Sequence, residues 1–302
     1  MQRDADWVNW RRGGIGGSDV AAILGLSPWA SPYSVWAEKV GLIPGDDETN
    51  EAQEFGLRAE PMLAQWFTDR TGLPVSGTQQ QMSHPARTWM RCTIDGRHDS
   101  AVIEFKTTTD PAWKTIPDYY QCQAQWNIAV TEAVGCWFGV LHMAGGRPRF
   151  HTYYMPASTA DEAYLLRQCS TFWLDHVLTG TPPAIDGHDA TTATLAQMWP
   201  AADGAVQADE TLRGLIADRT QARAEAARWL TLADQADNTI RAAIGDHDRI
   251  SDGSRNLATW RWQDRRSVDI DALRAAAPDL VAAHTTTSRS RVLRINTPKE
   301  PQ

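Results

Sequence analysis

Apolar positions recur at helical spacing through much of the first half of the chain. Residues 7–12 read as a short helix or lead-in, followed by a glycine-rich turn at 13–17. Residues 20–24 form an apolar helix for which Ser18 or Asp19 is the cap. Ser31-Pro32 opens a further helix over 33–40, and Gly41 stops it. Residues 55–71 carry Leu63, Trp66 and Phe67 at helical spacing and end at Gly72, with Pro61 in the first turn or kinking the helix. The period then changes. Residues 88–94 and 101–107 are short mixed runs that read as two strands of a hairpin, joined by a polar turn containing Gly96. A helix over 119–130, a buried strand over 136–143, an edge strand over 149–155 and an amphipathic helix over 161–178 complete this part.

The alternation of strands and helices predicts an α/β unit over residues 1–200. Residues 181–207 are rich in Pro, Gly, Ala and Thr and read as a linker or long loop. Residues 201–302 read as a helical arm with a small appendage. A long Ala-, Arg- and Leu-rich helix spans 209–244, a strand 257–262 and a helix 269–277, and a basic tail runs over 289–294.

Composition narrows the class. The chain has 302 residues and a formal net charge of −8, which argues against a protein coated with cations for nucleic acid but leaves room for a local basic channel. The four lysines (Lys39, Lys106, Lys114 and Lys299) stand against 25 arginines. No apolar run reaches membrane-spanning length and the first residues lack a signal-peptide pattern, so a soluble cytoplasmic protein is expected. Cys92, Cys122, Cys136 and Cys169 show no C-x-x-C spacing, which excludes the common zinc and iron–sulfur patterns and predicts reduced cysteines.

Candidate chemistry concentrates on the hairpin. Asp95 ends one strand, and Glu104-Phe105-Lys106 lies in the next. Residues two apart in a strand share a face, so Glu104 and Lys106 project together. Two carboxylates there suit Mg²⁺, with the Phe105 carbonyl as a further oxygen, and Lys106 would act on the attacking water. A charged pair inside so apolar a strand is costly without a partner or a function. Read alone, Glu60 is an ordinary solvated helix residue, and Gln123 and Gln125 are structural. The turn Gly13-Gly14-Ile15-Gly16-Gly17 leads into a helix and is flanked by Arg11, Arg12 and Ser18, a setting for phosphate. It is not a Walker A loop, since no Gly-Lys-Ser/Thr follows.

These blocks occur in a familiar order. Residues 11–19, continuing to Leu24-Gly25-Leu26-Ser27-Pro28-Trp29 and Ser31-Pro32-Tyr33, resemble the opening of the YqaJ-like viral recombinases, which are similar to lambda-type exonucleases. Glu60-Pro61, Ile94-Asp95-Gly96 with Glu104-Phe105-Lys106, and Tyr120-x-x-Gln123-x-Gln125-Trp126 resemble the later blocks. Ile94 departs from the proline that often precedes the aspartate. The resemblance implies a restriction-endonuclease-like PD-(D/E)XK core that degrades the 5′ strand of duplex DNA ends to leave 3′ overhangs. It implies two Mg²⁺ ions, with Mn²⁺ as a substitute, held by Asp95, Glu104, Phe105 and Glu60. Lys106 and Gln123 would complete the catalytic set. Arg11 or Arg12, Ser18, Thr93 and Gln125 would meet DNA. A trimeric ring, a single-strand annealing partner and a phage or prophage origin are also implied. An endonuclease on the same core and a non-catalytic DNA-end scaffold are the competing functions.

Overall fold

The computed structural model describes residues 5–44, 51–110, 113, 115–201 and 203–296. The chain divides into two units, residues 1–201 and 202–302. The first is α/β, with a mixed four-stranded sheet flanked by helices. In chain order it contains α1 (Ala5–Arg12), α2 (Gly17–Ile23), α3 (Pro32–Lys39), α4 (Glu51–Thr71), β1 (Gln80–His84), β2 (Arg87–Ile94), β3 (Gly96–His98), β4 (Ala101–Thr108), α5 (Asp118–Thr131), β5 (Gly135–His142), β6 (Arg149–Pro156), α6 (Thr159–Thr171) and α7 (Asp189–Met198). The main sheet has the order β3-β4-β5-β6. Strands β4 and β5 are parallel, and the outer pairings are antiparallel. The crossover between the parallel strands is α5.

Alternate residues of β4 serve two cores. Val102 joins the cluster built on α5, whereas Ile103 and Phe105 pack with Ala59, Leu63 and Phe67 of α4. Glu104 and Lys106 have the parity of Val102 and so face α5. Burial on both sides explains the unbroken apolar run of this strand. Ala124 through Val130 of α5 are all buried, because the helix lies between the sheet and α2.

The hairpin differs from its prediction. Strand β2 pairs with β1, not with β4, and the antiparallel partner of β4 is the short β3. Asp95 is the single residue at which the chain passes from one sheet to the other. Strand β1 escaped the sequence reading because Gln80, Gln81 and Ser83 offer no apolar alternation. Pro61 lies well inside the 21-residue α4 rather than in its first turn. Having no N–H, it leaves the Leu57 carbonyl without its usual helical donor.

The stretch 181–207 is not a plain linker, because it contains α7. This helix packs by threonines. Thr191 and Thr194 are buried; the Thr191 hydroxyl donates to Asp186 Oδ1 at 2.6 Å and lies 2.7 Å from Ser31 Oγ, from which it accepts. The predicted 161–178 helix begins at Thr159 and passes into a π-helical turn over Phe172–Val177. All four cysteines are free, and Cys92, Cys136 and Cys169 are buried.

The second unit holds α8 (Glu210–Ile244), a β7–β8 hairpin (Arg249–Ser251 and Asn256–Thr259), α9 (Ile270–Ala276) and α10 (Pro278–Ala283). Of α8, Ile244 is the buried residue. Lys114 and Lys299 lie outside the described residues, and no described helix is long and apolar enough to cross a membrane.

Candidate active site

Glu104 is 1% exposed, and its carboxylate accepts hydrogen bonds from three side chains. Lys106 Nζ and Gln123 Nε2 donate to its Oε2 at 2.8 and 2.9 Å, and Asn127 Nδ2 donates to Oε1 at 2.6 Å. Gln123 and Asn127 are four residues apart on α5 and so share one face. The parity of β4 and the period of α5 together build this cluster.

Asp95 reaches β4 differently. Its Oδ2 accepts the backbone N–H of Phe105 at 2.8 Å, just past the last residue that β3 pairs. Thus Phe105 meets Asp95 through its N–H. Glu60 comes from α4 and is held by the Gln79 amide at 2.5 Å. Burial raises the Asp95 carboxyl well above its ordinary value, and the charges of Glu104 and Glu60 add to the effect. Burial also raises Glu60, against the hydrogen bond from Gln79 and the charge of Lys106. For Lys106, burial works to lower the ammonium, but Glu104 and Asp95 outweigh it and hold the group above the usual lysine range. Three carboxylates therefore share one ammonium. Among the described residues, no three His, Cys, Asp or Glu side chains form a ready-made metal cage.

A cleft of about 190 Å³ opens beside this cluster. Asp95, Glu60, Gln123, Asn127 and Thr93 line it, as do Arg11, Ser18 and the glycines Gly16 and Gly17. Arg91 lines it too. The segment before α2 bridges to β2, with Ile15 N donating to Trp89 O at 2.7 Å and Arg91 N to Ile15 O at 2.9 Å. A Cβ on Gly14 would stand 2.4 Å from Trp89 O and 2.7 Å from Arg91 Cδ, so only glycine permits this approach. Gly17 is equally constrained. A Cβ there would stand 2.2 Å from Asn127 Oδ1, a buried oxygen with no hydrogen-bond partner.

Arg11 and Arg12 have separate fates. Arg11 faces the cleft, donates to Ser18 Oγ at 3.3 Å and pairs with Asp19 at 2.7 Å and Glu38 at 2.9 Å. Arg12 does not line the cleft; it donates to the Ile43 carbonyl at 3.2 Å. Lys39 pairs with the other oxygen of Asp19 at 2.7 Å. Burial opposes ionisation of Asp19, but Arg11 and Lys39 bring its carboxyl below the ordinary value. Lys39 is itself lowered, first by burial and further by Arg11, so the three groups share their charge unevenly. Asp19 also accepts the Gly16 N–H at 2.8 Å. One N–H of the expected phosphate turn, that of Gly16, is therefore occupied by Asp19 at the start of the seven-residue α2.

Gln125 lies outside the cleft lining. It is 5% exposed, donates to Pro156 O at 2.9 Å and accepts from Ser158 N at 3.1 Å, tying α5 to the end of β6. Residues two apart on a helix do not share a face, so it points away from Gln123. Sequence reasoning missed Asn127, Arg91 and Gln79. The four-residue step from Gln123 would have found the first, and the strand alternation from Asp95 through Thr93 the second.

Residues 6–134 match the YqaJ-like viral recombinase domain. The match covers 129 of the 302 residues, all within the first unit. The matched span includes every cleft residue and the whole Glu104 cluster. The YqaJ protein of Bacillus subtilis (strain 168) is 32% identical over 210 residues, covering 66% of this chain, and the chain spans 64% of that relative's length. The alkaline exonuclease of Laribacter hongkongensis is 20% identical, covering 59% of this chain and 94% of that one, with a TM-score of 0.48. A phage-related exonuclease from Haemophilus somnus 129PT is 11% identical, covering 57% and 98%, with a TM-score of 0.40.

Proposed function

We propose that this YqaJ-like chain is a divalent-metal-dependent DNA nuclease that degrades the 5′ strand from duplex ends. One observation carries the reading: Asp95, Glu104 and Glu60 gather around a single compensating lysine at the wall of an open cleft. The donor set fits a hard cation, because it offers carboxylate oxygens and excess negative charge. Asp95, Glu104 and Glu60 would hold Mg²⁺ or Mn²⁺, with the Phe105 carbonyl as the neighbouring backbone oxygen. A divalent cation supplies positive charge against the scissile phosphate and makes water more acidic.

The chain's own residues do the rest. Gln123 and Asn127 fix both Glu104 oxygens, so that carboxylate is pre-oriented. Lys106 stays charged and offsets negative charge that builds on the phosphate. Arg91, Arg11, Ser18 and Thr93 offer donors for the terminal 5′ phosphate inside the cleft. A ring-shaped homo-oligomer, most simply a trimer, and a single-strand annealing partner that takes the 3′ overhang belong to the same reading.

The test compares linear with closed circular duplex, using the purified full chain with Mg²⁺ and with EDTA. Degradation of the linear form alone, abolished by EDTA, supports the exonuclease. Cleavage of the circle favours an endonuclease on the same core. Binding to ends without cleavage of either form refutes the enzyme and leaves a scaffold.

A further inference from the structure

We infer that Trp29, Tyr119 and Tyr120 form a base-stacking ledge for the unpaired nucleotide on the 3′ side of the scissile phosphate. The inference rests on the nuclease reading above and names a nucleobase site beyond it. Trp29 is 64% exposed, an unusual position for the largest aromatic side chain on a loop between two helices. Its ring stands edge-on to Tyr119 at 5.1 Å and near Tyr120 at 6.1 Å. The two tyrosines are 4.5 Å apart. The ledge is continuous with the site, because Lys106 Nζ lies 5.0 Å from the Tyr120 ring centre.

The ledge is firmly built. Ser27 Oγ accepts the N–H groups of Trp29 and Ala30 at 3.1 and 3.2 Å. The Ser27 carbonyl lies 3.1 Å from His188 Nε2, whose other ring nitrogen accepts the Ala190 N–H and so leaves Nε2 as the donor. Buried Trp113 backs Tyr120 at 5.2 Å. A loop this well anchored presents its tryptophan in one place.

Position selects the occupant. Residues 119 and 120 open α5, and Gln123 and Asn127 follow on the same side of it. The cleft lies at the Gln123–Asn127 end and the ledge at the other, with Glu104 and Lys106 between them. Glu104 is almost wholly buried, so a phosphodiester reaches it only if its nucleotide leaves the duplex stack. A strand with its 5′ phosphate in the cleft then crosses Lys106 and delivers its second nucleotide to the ledge. The aromatic faces replace the stacking that this base has lost. Such contacts accept any base, as a nuclease without sequence preference requires.

The test uses the full chain and a 5′-phosphorylated linear duplex with 2-aminopurine as the second nucleotide of the 5′ strand. Trp29→Ala should lower kcat/KM about 5- to 150-fold, the range set by loss of one base–aromatic stack. Trp29→Phe should keep most of the rate. In EDTA, the duplex bound by the Trp29→Ala variant should fluoresce more brightly than that bound by wild type, because the peeled base no longer stacks. An abasic second nucleotide should slow wild type to the Trp29→Ala rate and leave the variant unchanged. If wild type degrades linear duplex and Trp29→Ala matches it in rate and fluorescence, the ledge is refuted and the nuclease reading stands. If wild type neither binds nor degrades linear duplex, the nuclease reading falls and takes the ledge with it.

Discussion

Adding one methyl group at Gly17 should disturb the carboxylate at the centre of the site. The new Cβ would lie 2.2 Å from Asn127 Oδ1 and 3.2 Å from its Cγ, well inside contact distance. Asn127 is 1% exposed and has little room to retreat. It can yield by turning away, but its Nδ2 then leaves Glu104 Oε1, which it holds at 2.6 Å. Overpacking of this kind costs about 1–3 kcal/mol, and a lost hydrogen bond to a charged group about 1.5–3 kcal/mol. These are alternative routes for relieving one strain, so they do not add. Against them, alanine is the better helix former by up to about 1 kcal/mol in a helix interior, less at a first position such as this. Gly17→Ala should therefore destabilise the protein by about 1–2 kcal/mol net and depress turnover, because Glu104 loses one of its two amide clamps.

The coupling is the decisive quantity. In an Asn127→Ala background the nearest remaining atom is Gln123 Cγ at 3.3 Å, which a small shift accommodates. Gly17→Ala should then be neutral or mildly stabilising. Urea unfolding of the wild type, both single variants and the double variant should give a coupling of about 1–3 kcal/mol, against the roughly 0.5 kcal/mol within which independent sites add. Additive changes would refute the idea that Gly17 is glycine because of Asn127.

Three further outcomes follow from the charge arrangement. Asp95→Asn should abolish cleavage yet raise the melting temperature in EDTA at pH 7. A carboxyl raised on folding lends stability that is full below its unfolded value near 3.8 and lost as pH rises through the folded one, so the variant's advantage should fade as pH approaches 4. Lys106→Ala should lower kcat far more than it raises KM, and should destabilise by about 3–5 kcal/mol through the carboxylates it leaves unpaired; recovery of stability on adding Glu104→Gln checks this, and normal cleavage by Lys106→Ala would contradict its role. Arg91→Ala should erase a preference for 5′-phosphorylated over 5′-hydroxyl ends, about 10- to 100-fold for one charge-assisted contact, whereas Arg11→Ala should chiefly lower stability by stranding Asp19 and Glu38. If Arg11→Ala alone removes the preference, the two roles are exchanged.

Local periodicity made much of this site legible. The two-residue step of β4 puts Glu104 and Lys106 on one face, and the apolar residues around them mark the strand as buried. The failures came where position is set by partners distant in sequence. Nothing local indicates that Gln80–His84 is a strand, since β1 owes its existence to pairing with β2. Helix α7 packs through threonines that look solvated in the sequence, because the hydroxyl partners are 160 residues away at Ser31. The glycine turn predicts an anion nest, and one of its N–H groups, that of Gly16, is taken by the buried Asp19, a partner that local sequence does not reveal. For Gln125 the turn angle of a helix alone separates its side chain from that of Gln123.

The same charge arrangement would let a chain of net charge −8 favour a phosphate at this cleft. Asp19 and Glu38 lie beside it but are neutralised by Arg11 and Lys39, so they repel an anion little. Among the described residues Arg91 pairs with no carboxylate. Partial burial lowers its pKa, but a guanidinium stays protonated in a protein, so the charge is kept. Just past the end of β2, Asp95 offers a carboxyl in a still less hydrated setting, raised well above its ordinary value by burial and by Glu104 and Glu60. An approaching phosphate would meet attraction at Arg91 and, with Asp95 ionised, repulsion a few residues further along the chain. Only a cation held by the carboxylates would let the scissile group advance to the second position. On this argument metal and DNA would bind with positive coupling, and the sum of charges over the whole chain bears on solubility rather than on the site.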